Sequence, residues 1–208
     1  MSFHIVADSC CELTADMKKR ENIEIAPLTL EVGGESILDD ETFDQKYFLK
    51  RVAECPECPK SACPSPDYFR KSFLNGAERC YAVTLSAQLS GSYNSAVLGA
   101  NLAQEENEDL KIHVFNSRSA SIGETLIVKK IVECEEAGMS FERVVETVEL
   151  YISTPISCWK ISKLCGKTAA FPKQKHLLHP RLRSNRLWEP HRRAISYSSI
   201  RRAASTKH

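Results

Sequence analysis

The 208-residue sequence lacks any apolar run of the roughly 18 residues that a membrane span requires, so no membrane-spanning helix is expected. Its first residues, MSFHIVADSC, lack the basic and apolar regions of a secretory signal, which points to a cytoplasmic protein. Nine cysteines in such a chain read as thiols in a reducing compartment, and the odd count argues against a closed disulfide framework. No GxSxG elbow, Walker A loop, HExxH or GxGxxG occurs, so the familiar hydrolase, nucleotide and zinc-protease signatures are missing. Acidic residues almost vanish from the end of the chain. Residues 153–208 hold 13 Lys and Arg against 1 Glu, and residues 1–152 hold 15 against 26 Asp and Glu. The formal net charge of +1 therefore hides a body of −11 and a tail of +12. An asymmetry of that size marks segments of separate function or separate origin.

What is present in residues 1–152 is an alternation of strands and helices. Phe3–Ala7 is a short apolar run ending at Asp8-Ser9 and reads as a buried strand. Thr14 is expected to open a helix. Ile23–Val32 reads as one strand, stopped by Gly33-Gly34. Phe43–Cys55 places Phe43, Tyr47, Phe48 and Val52 at helical spacing, and the Pro-rich loop PECPKSACPSP leads to a short helix from Asp67. Cys80–Leu85 and Lys111–Phe115 are further strands. Helices are expected after LSGS, over Ile122–Gly138 and over Ser140–Tyr151. The pattern predicts an α/β fold with a mostly parallel sheet and flanking helices, followed by an irregular tail.

In such sheets ligands sit beyond the carboxyl ends of the strands. The loops of interest are then ADSCCEL, SAQLSGS and NSRSASIG, all rich in small hydroxyl residues. Ser90-Gly91-Ser92 lies between a strand and a helix. Unpaired N–H groups at a helix start carry partial positive charge, Gly91 permits close approach to the backbone, and Ser90 adds a hydroxyl donor. This suits a carboxylate or phosphate; an ordinary N-cap Ser with a Gly turn fits the same letters. Ser61, in a Pro-stiffened loop, offers a second hydroxyl, or is simply a loop serine. Asp8 reads as an acid, a metal ligand or a loop cap. His4 and His113, inside strands, read as core or edge residues. Cys55, Cys58 and Cys63 have spacing compatible with zinc, but no fourth ligand lies nearby, so no metal site is expected. Cys10-Cys11 reads as incidental thiols, since adjacent cysteines seldom pair without strain.

Four segments resemble one family in order and spacing across residues 3–152. IVADSCCELT resembles the IVTDSTxDL opening of the DegV family, and PKSACPSPDYF its TSQPSP loop. TLSAQLSGSYNSA resembles its LSSxLSGTYxSA segment, and VFNSRSASIGETLIV its V-x-D-S-x-x-x-S-x-G segment. DegV proteins are bacterial fatty-acid-binding proteins that present the acid to a kinase making acyl-phosphate. The resemblance implies a carrier and not an enzyme, with no cofactor, a long-chain fatty acid as ligand and a fatty acid kinase as protein partner. It implies that Ser61 and Ser90, with Gly91, hold the ligand carboxylate. Ser61 departs from the family Thr but keeps the hydroxyl; Ala62-Cys63 and Asn116 depart from Ser-Gln and Asp. The family's acyl tunnel lies between this domain and a second one.

The tail does not continue the resemblance. Residues 153–208 show none of the family's GRIS-like, KPIL-like or Arg-Gly segments. With suitable codons, dropping two bases turns KLCGKTAAFP into TLRKNGRLS, and the tail from Ile152 into a run containing AYFLLENLKTLRKNGRLS. The expectation is a frame slip near Ser153–Ile156. Residues 1–152 would then be a DegV-type α/β domain. Residues 153–208 would be an out-of-frame, disordered basic tail, and the first domain would expose the apolar face that covers the acyl chain. Two other function classes stay open: nucleic-acid binding through the tail, which would be non-specific and steeply salt-dependent, and a Cys-based metal or redox protein.

Overall fold

The computed structural model describes residues 2–154. In chain order the elements are β1 (Phe3–Asp8), β2 (Ile23–Ala26), β3 (Thr29–Val32), β4 (Glu35–Leu38), α1 (Gln45–Glu54), β5 (Lys60–Ala62) and α2 (Pro66–Phe73). They continue as β6 (Arg79–Thr84), α3 (Ser92–Glu106), β7 (Lys111–Asn116), α4 (Ile122–Glu136) and α5 (Phe141–Ser153). Residues 155–208 lie outside the described part, and with them the expectations for the basic tail.

A four-stranded sheet in the order β2-β1-β6-β7 is parallel throughout. Successive side chains of a strand point to opposite faces, and the two faces carry separate cores. On one, Val6, Cys80 and Ala82 meet Phe69 and Phe73 of α2 and Ala96, Ala100 and Ala103 of α3. On the other, Ile5, Ala7, Tyr81, Val83 and Phe115 meet α4 and α5 through Ile127, Val128, Ile131, Val144 and Val148. Burial on both faces explains why β1 and β6 read as continuous apolar runs. Small residues let α3 approach α2 closely. A methyl on Gly99 would fall 2.6 Å from the Pro66 carbonyl oxygen and 2.7 Å from Phe69 Cβ, so only glycine fits.

Three expectations are corrected. Ile23–Val32 is not one strand. Pro27 brings no N–H and interrupts the ladder, so Ile23–Ala26 stays with β1 while Thr29–Val32 turns into a separate antiparallel sheet, β4-β3-β5. Gly33 and Gly34, at φ +57° and +80°, make the tight turn of its β3–β4 hairpin. No helix opens at Thr14: residues 15–19 are turns. Lys18 N reaches Thr14 O at 3.0 Å, but Arg20 N closes on Met17 O instead of continuing. Met17 alone is buried there, too little apolar face to hold a short helix. The loop PECPKSACPSP also contains β5, which pairs with β3. Helix α1 forms as expected but buries none of its residues fully, and Tyr47 and Leu49 stay exposed with Leu38 and Leu89.

Glu24 on β2 ties α2 to the sheet. It accepts hydrogen bonds from Tyr68 at 3.0 Å and Ser72 at 2.8 Å, and meets His4 at 3.1 Å. The His4 bond, followed by those from Ser72 and Tyr68, holds its carboxyl below the usual glutamate range against the opposing effect of burial. A carboxyl depressed on folding contributes stability above its unfolded value and loses it as pH falls through the folded one. Acidification below the ordinary glutamate range should therefore lower the Tm. Glu24→Gln should lower it at pH 7 and flatten that part of the acid limb in thermal melts; an unchanged acid limb would refute the assignment.

Candidate functional site

The chain runs from β1 to β2 on one side and later returns to β6 on the other. The strand order therefore reverses between β1 and β6, and the carboxyl ends of these two strands are where open α/β sheets take their ligands. All three hydroxyl-rich loops meet there. Leu85 N donates to Asp8 Oδ2 at 2.8 Å, Ser86 N to Ser119 O at 3.0 Å and Ala87 N to Asn116 Oδ1 at 3.1 Å. Asn116 serves as an acceptor only, so the change from Asp leaves this loop intact.

Ser90, Gly91 and Ser92 lie at the start of α3. Gly91 occupies the N-cap position and supplies no side-chain cap. Ser90 Oγ accepts from Ser92 N at 3.2 Å and lies 3.0 Å from Ser92 Oγ. Ser90 is half-buried and Gly91 exposed, so the helix start is open to a ligand. Ser61 lies on β5, exposed, paired in register with Leu30. Its loop is fastened to α3: Cys63, two residues on, has its Sγ 3.3 Å from where a Cβ on Gly91 would stand. Ser95 Oγ donates to Pro64 O at 2.5 Å. The fold thus brings the Ser61 loop to the Ser90-Gly91 turn.

Asp8 is fully buried and acts as the loop cap that its position suggested, accepting from Cys10 N at 3.2 Å as well as Leu85 N. The residue that sequence reasoning missed is Glu124, at the first turn of α4 and 0% exposed. Its Oε1 accepts from Ser121 N at 3.1 Å in a capping box, the only signal of it in the letters SIGE. One donor atom each from Asp8, Cys10 and Glu124 lie within 4.8 Å of one another. Burial, with the Asp8 charge next, holds the Glu124 carboxyl well above its usual range; burial also raises Asp8 against the bonds from Leu85, Glu124 and Cys10. Both Asp8 oxygens already take backbone N–H bonds, so we read the group as an acid pair.

The zinc-like spacing of Cys55, Cys58 and Cys63 forms no cluster among the described residues. Cys55 Sγ lies by Gly33 and Cys63 Sγ by Gly91. The seven described cysteines are free thiols. Cys11 and Cys80 are raised by burial, Cys80 to about 12, which makes them poor nucleophiles. His4 is buried against Glu24, and His113 meets Glu149 at 3.2 Å. No helix among the described residues is long and apolar enough to cross a membrane.

Residues 2–157 match the family model described as "Uncharacterised protein, DegV family". A DegV domain-containing protein of Streptococcus pneumoniae is 37% identical over 153 residues, 73% of this chain and 54% of that protein. The chain thus spans about half the length of the curated relatives it matches. Among solved structures, a DegV family protein from Ruminococcus gnavus, refined with vaccenic acid, has a TM-score of 0.71 at 46% identity. The match covers 80% of this chain and 63% of that one. The Streptococcus pneumoniae Fatty Acid Kinase B3 protein, loaded with linoleic acid, has a TM-score of 0.67 at 32% identity over 81% of this chain and 65% of that one. With its parallel sheet, its four motifs in order and this match across the described residues, the chain belongs to the DegV family.

Proposed function

We propose that this chain carries the first domain of a carrier that binds a long-chain fatty acid and presents it to a fatty acid kinase, and that its altered tail truncates the carrier and impairs that binding. The acid's carboxylate is held by the hydroxyls of Ser61 and Ser90 and the backbone at Gly91. The observation that carries this reading is the fastening of the Ser61 loop onto the open start of α3 through Cys63, Pro64 and Ser95. Solved relatives loaded with vaccenic and linoleic acids support the ligand class. Charge-assisted bonds from hydroxyl and N–H groups are short and strong. The acyl chain adds about 0.8 kcal/mol per buried CH₂, on the order of 10 kcal/mol for a long chain before the costs of binding. Leu89, 71% exposed and next to Ser90, supplies apolar surface beside the carboxylate.

Native mass spectrometry of a version with the reading frame restored should show a co-purified fatty acid, held more weakly by the 208-residue chain, which on this reading lacks the second side of the acyl tunnel. Ser90→Ala removes one hydrogen bond to a charged group, about 1.5–3 kcal/mol, and should weaken binding roughly 10- to 150-fold. A frame-restored version free of lipid in every preparation would sink the proposal. Residues 153–208 are, on the same reading, out-of-frame translation of the segment that continues the family pattern. The coding DNA tests this: its shifted frame must spell GRLS-like and KP-like segments.

A further inference from the structure

Carboxylate binding by Ser61 and Ser90 leaves Glu124 and Asp8 without a task, yet they stand directly behind the Ser90 turn. Glu124 Oε2 is buried with no hydrogen-bond donor assigned to it, in a cluster with Asp8 and Cys10. Asp8 in turn accepts a weaker hydrogen bond from the Ser92 side chain, and Ser92 Oγ lies 3.0 Å from Ser90 Oγ. A continuous path of polar atoms therefore runs Glu124–Asp8–Ser92–Ser90 from the core to the carboxylate site.

Two ionised carboxylates this close in a water-free space repel each other strongly. A proton on Glu124 Oε2 removes the conflict and gives that oxygen its partner, as donor to Asp8. We propose that Glu124 and Asp8 are positioning residues whose shared protons set the direction of the Ser92–Ser90 hydroxyl chain, so that carboxylate binding is coupled to proton uptake. The proposal rests on the fatty-acid reading.

A hydroxyl has one proton to give. With one proton on the pair, Asp8 is an acceptor. Ser92 then donates to Asp8 and Ser90 donates to Ser92, so the Ser90 proton points inward. A second proton on the pair reverses the chain. Asp8 donates to Ser92, Ser92 to Ser90, and Ser90 to the ligand carboxylate. One proton comes from solvent and no bond between heavy atoms changes. The second proton also cancels the buried negative charge that would repel the ligand. Both carboxyls sit above their usual range, mainly through burial, which is the direction this coupling needs. The other titratable groups facing the pair are the Cys10 thiol on the same loop, which hydrogen-bonds the Glu124 carboxyl, and the Cys11 thiol, which burial raises.

The test is calorimetric titration of the full chain with vaccenic acid between pH 7 and 9, in buffers of differing ionisation enthalpy. Proton uptake approaching one per ligand is expected, with affinity falling by up to about tenfold per pH unit. Asp8→Asn removes the carboxylate that takes up the proton beside Ser92 and should give a flat pH profile. Glu124→Gln keeps a donor on Asp8 but favours the ionised carboxylate, and should bind weakly across the range. Binding without proton uptake, or a wild-type slope retained in Asp8→Asn, overturns the proposal while leaving the fatty-acid reading intact. Absence of binding at every pH sinks both. Carboxyl ¹³C NMR of the ligand-free wild type decides independently of any variant's folding: a Glu124 resonance titrating with the ordinary surface carboxylates overturns the proposal.

Discussion

Ser90→Asp should abolish fatty-acid binding while leaving the fold intact. The new carboxylate would stand where the ligand's own carboxylate is proposed to sit, at a half-buried position. Like charges brought together in an interface cost several kcal/mol, so a loss of about 100-fold or more is expected. The helix start makes the control unusually clean. Gly91 caps α3 without a side chain, and a negative group just before it is favourable to the helix dipole. The Tm should hold or rise as the affinity collapses. The ranking is Ser90→Asp far below Ser90→Ala, with Ser61→Ala mildest because Ser61 is exposed. Displacement of a fluorescent fatty acid, paired with thermal melts, checks it. Wild-type affinity in Ser90→Asp would remove Ser90 from the site.

Glu135→Ala should be the most destabilising single change outside the apolar cores. Arg79 opens β6 and Glu135 lies in the last turn of α4; their side chains are 11% and 4% exposed. Arg79 Nη1 donates to both Glu135 oxygens at 3.2 Å and to Met139 O at 3.0 Å, and Tyr81 Oη donates to Glu135 Oε1 at 2.5 Å. Removing the carboxylate takes the counter-charge from a buried guanidinium and the acceptor from a buried phenol together. Breaking a buried pair from one side costs about 3–5 kcal/mol. Urea unfolding should show a lower midpoint with an unchanged slope, and Glu135→Gln should recover part of the loss by keeping an acceptor. A cost under about 1 kcal/mol would mean that water reaches the pair.

The parallel sheet was legible because β1 and β6 are buried on both faces and their letters say so. The helices after β6 and β7 were legible from the small or capping residues that begin them. Pro27 was the visible clue to the split of Ile23–Val32, and its missing N–H should have outweighed the apolar run around it. Strand β5 was not legible: all three of its residues are exposed, and its pairing with β3 is a tertiary event. At the site, Ser90-Gly91 and Asp8 announce themselves by following strands. Glu124 does not. In sequence it is the last letter of a capping box, and only the folded chain brings its carboxyl to Asp8.

The contact at Gly99 has a consequence for how such a protein could diversify. The Pro66 carbonyl that presses on it ends the same stretch that carries Ser61, and α3 begins at the Ser90 turn. The gauge between the two hydroxyls is therefore held by backbone against backbone. Side chains sample rotamers, whereas a backbone approach of this kind has no slack to give. Headgroup recognition, as proposed, is in this sense a fixed socket. Preference among acids of different length or unsaturation has to be written into surfaces that touch the hydrocarbon, where substitutions can accumulate without disturbing the grip on the carboxylate.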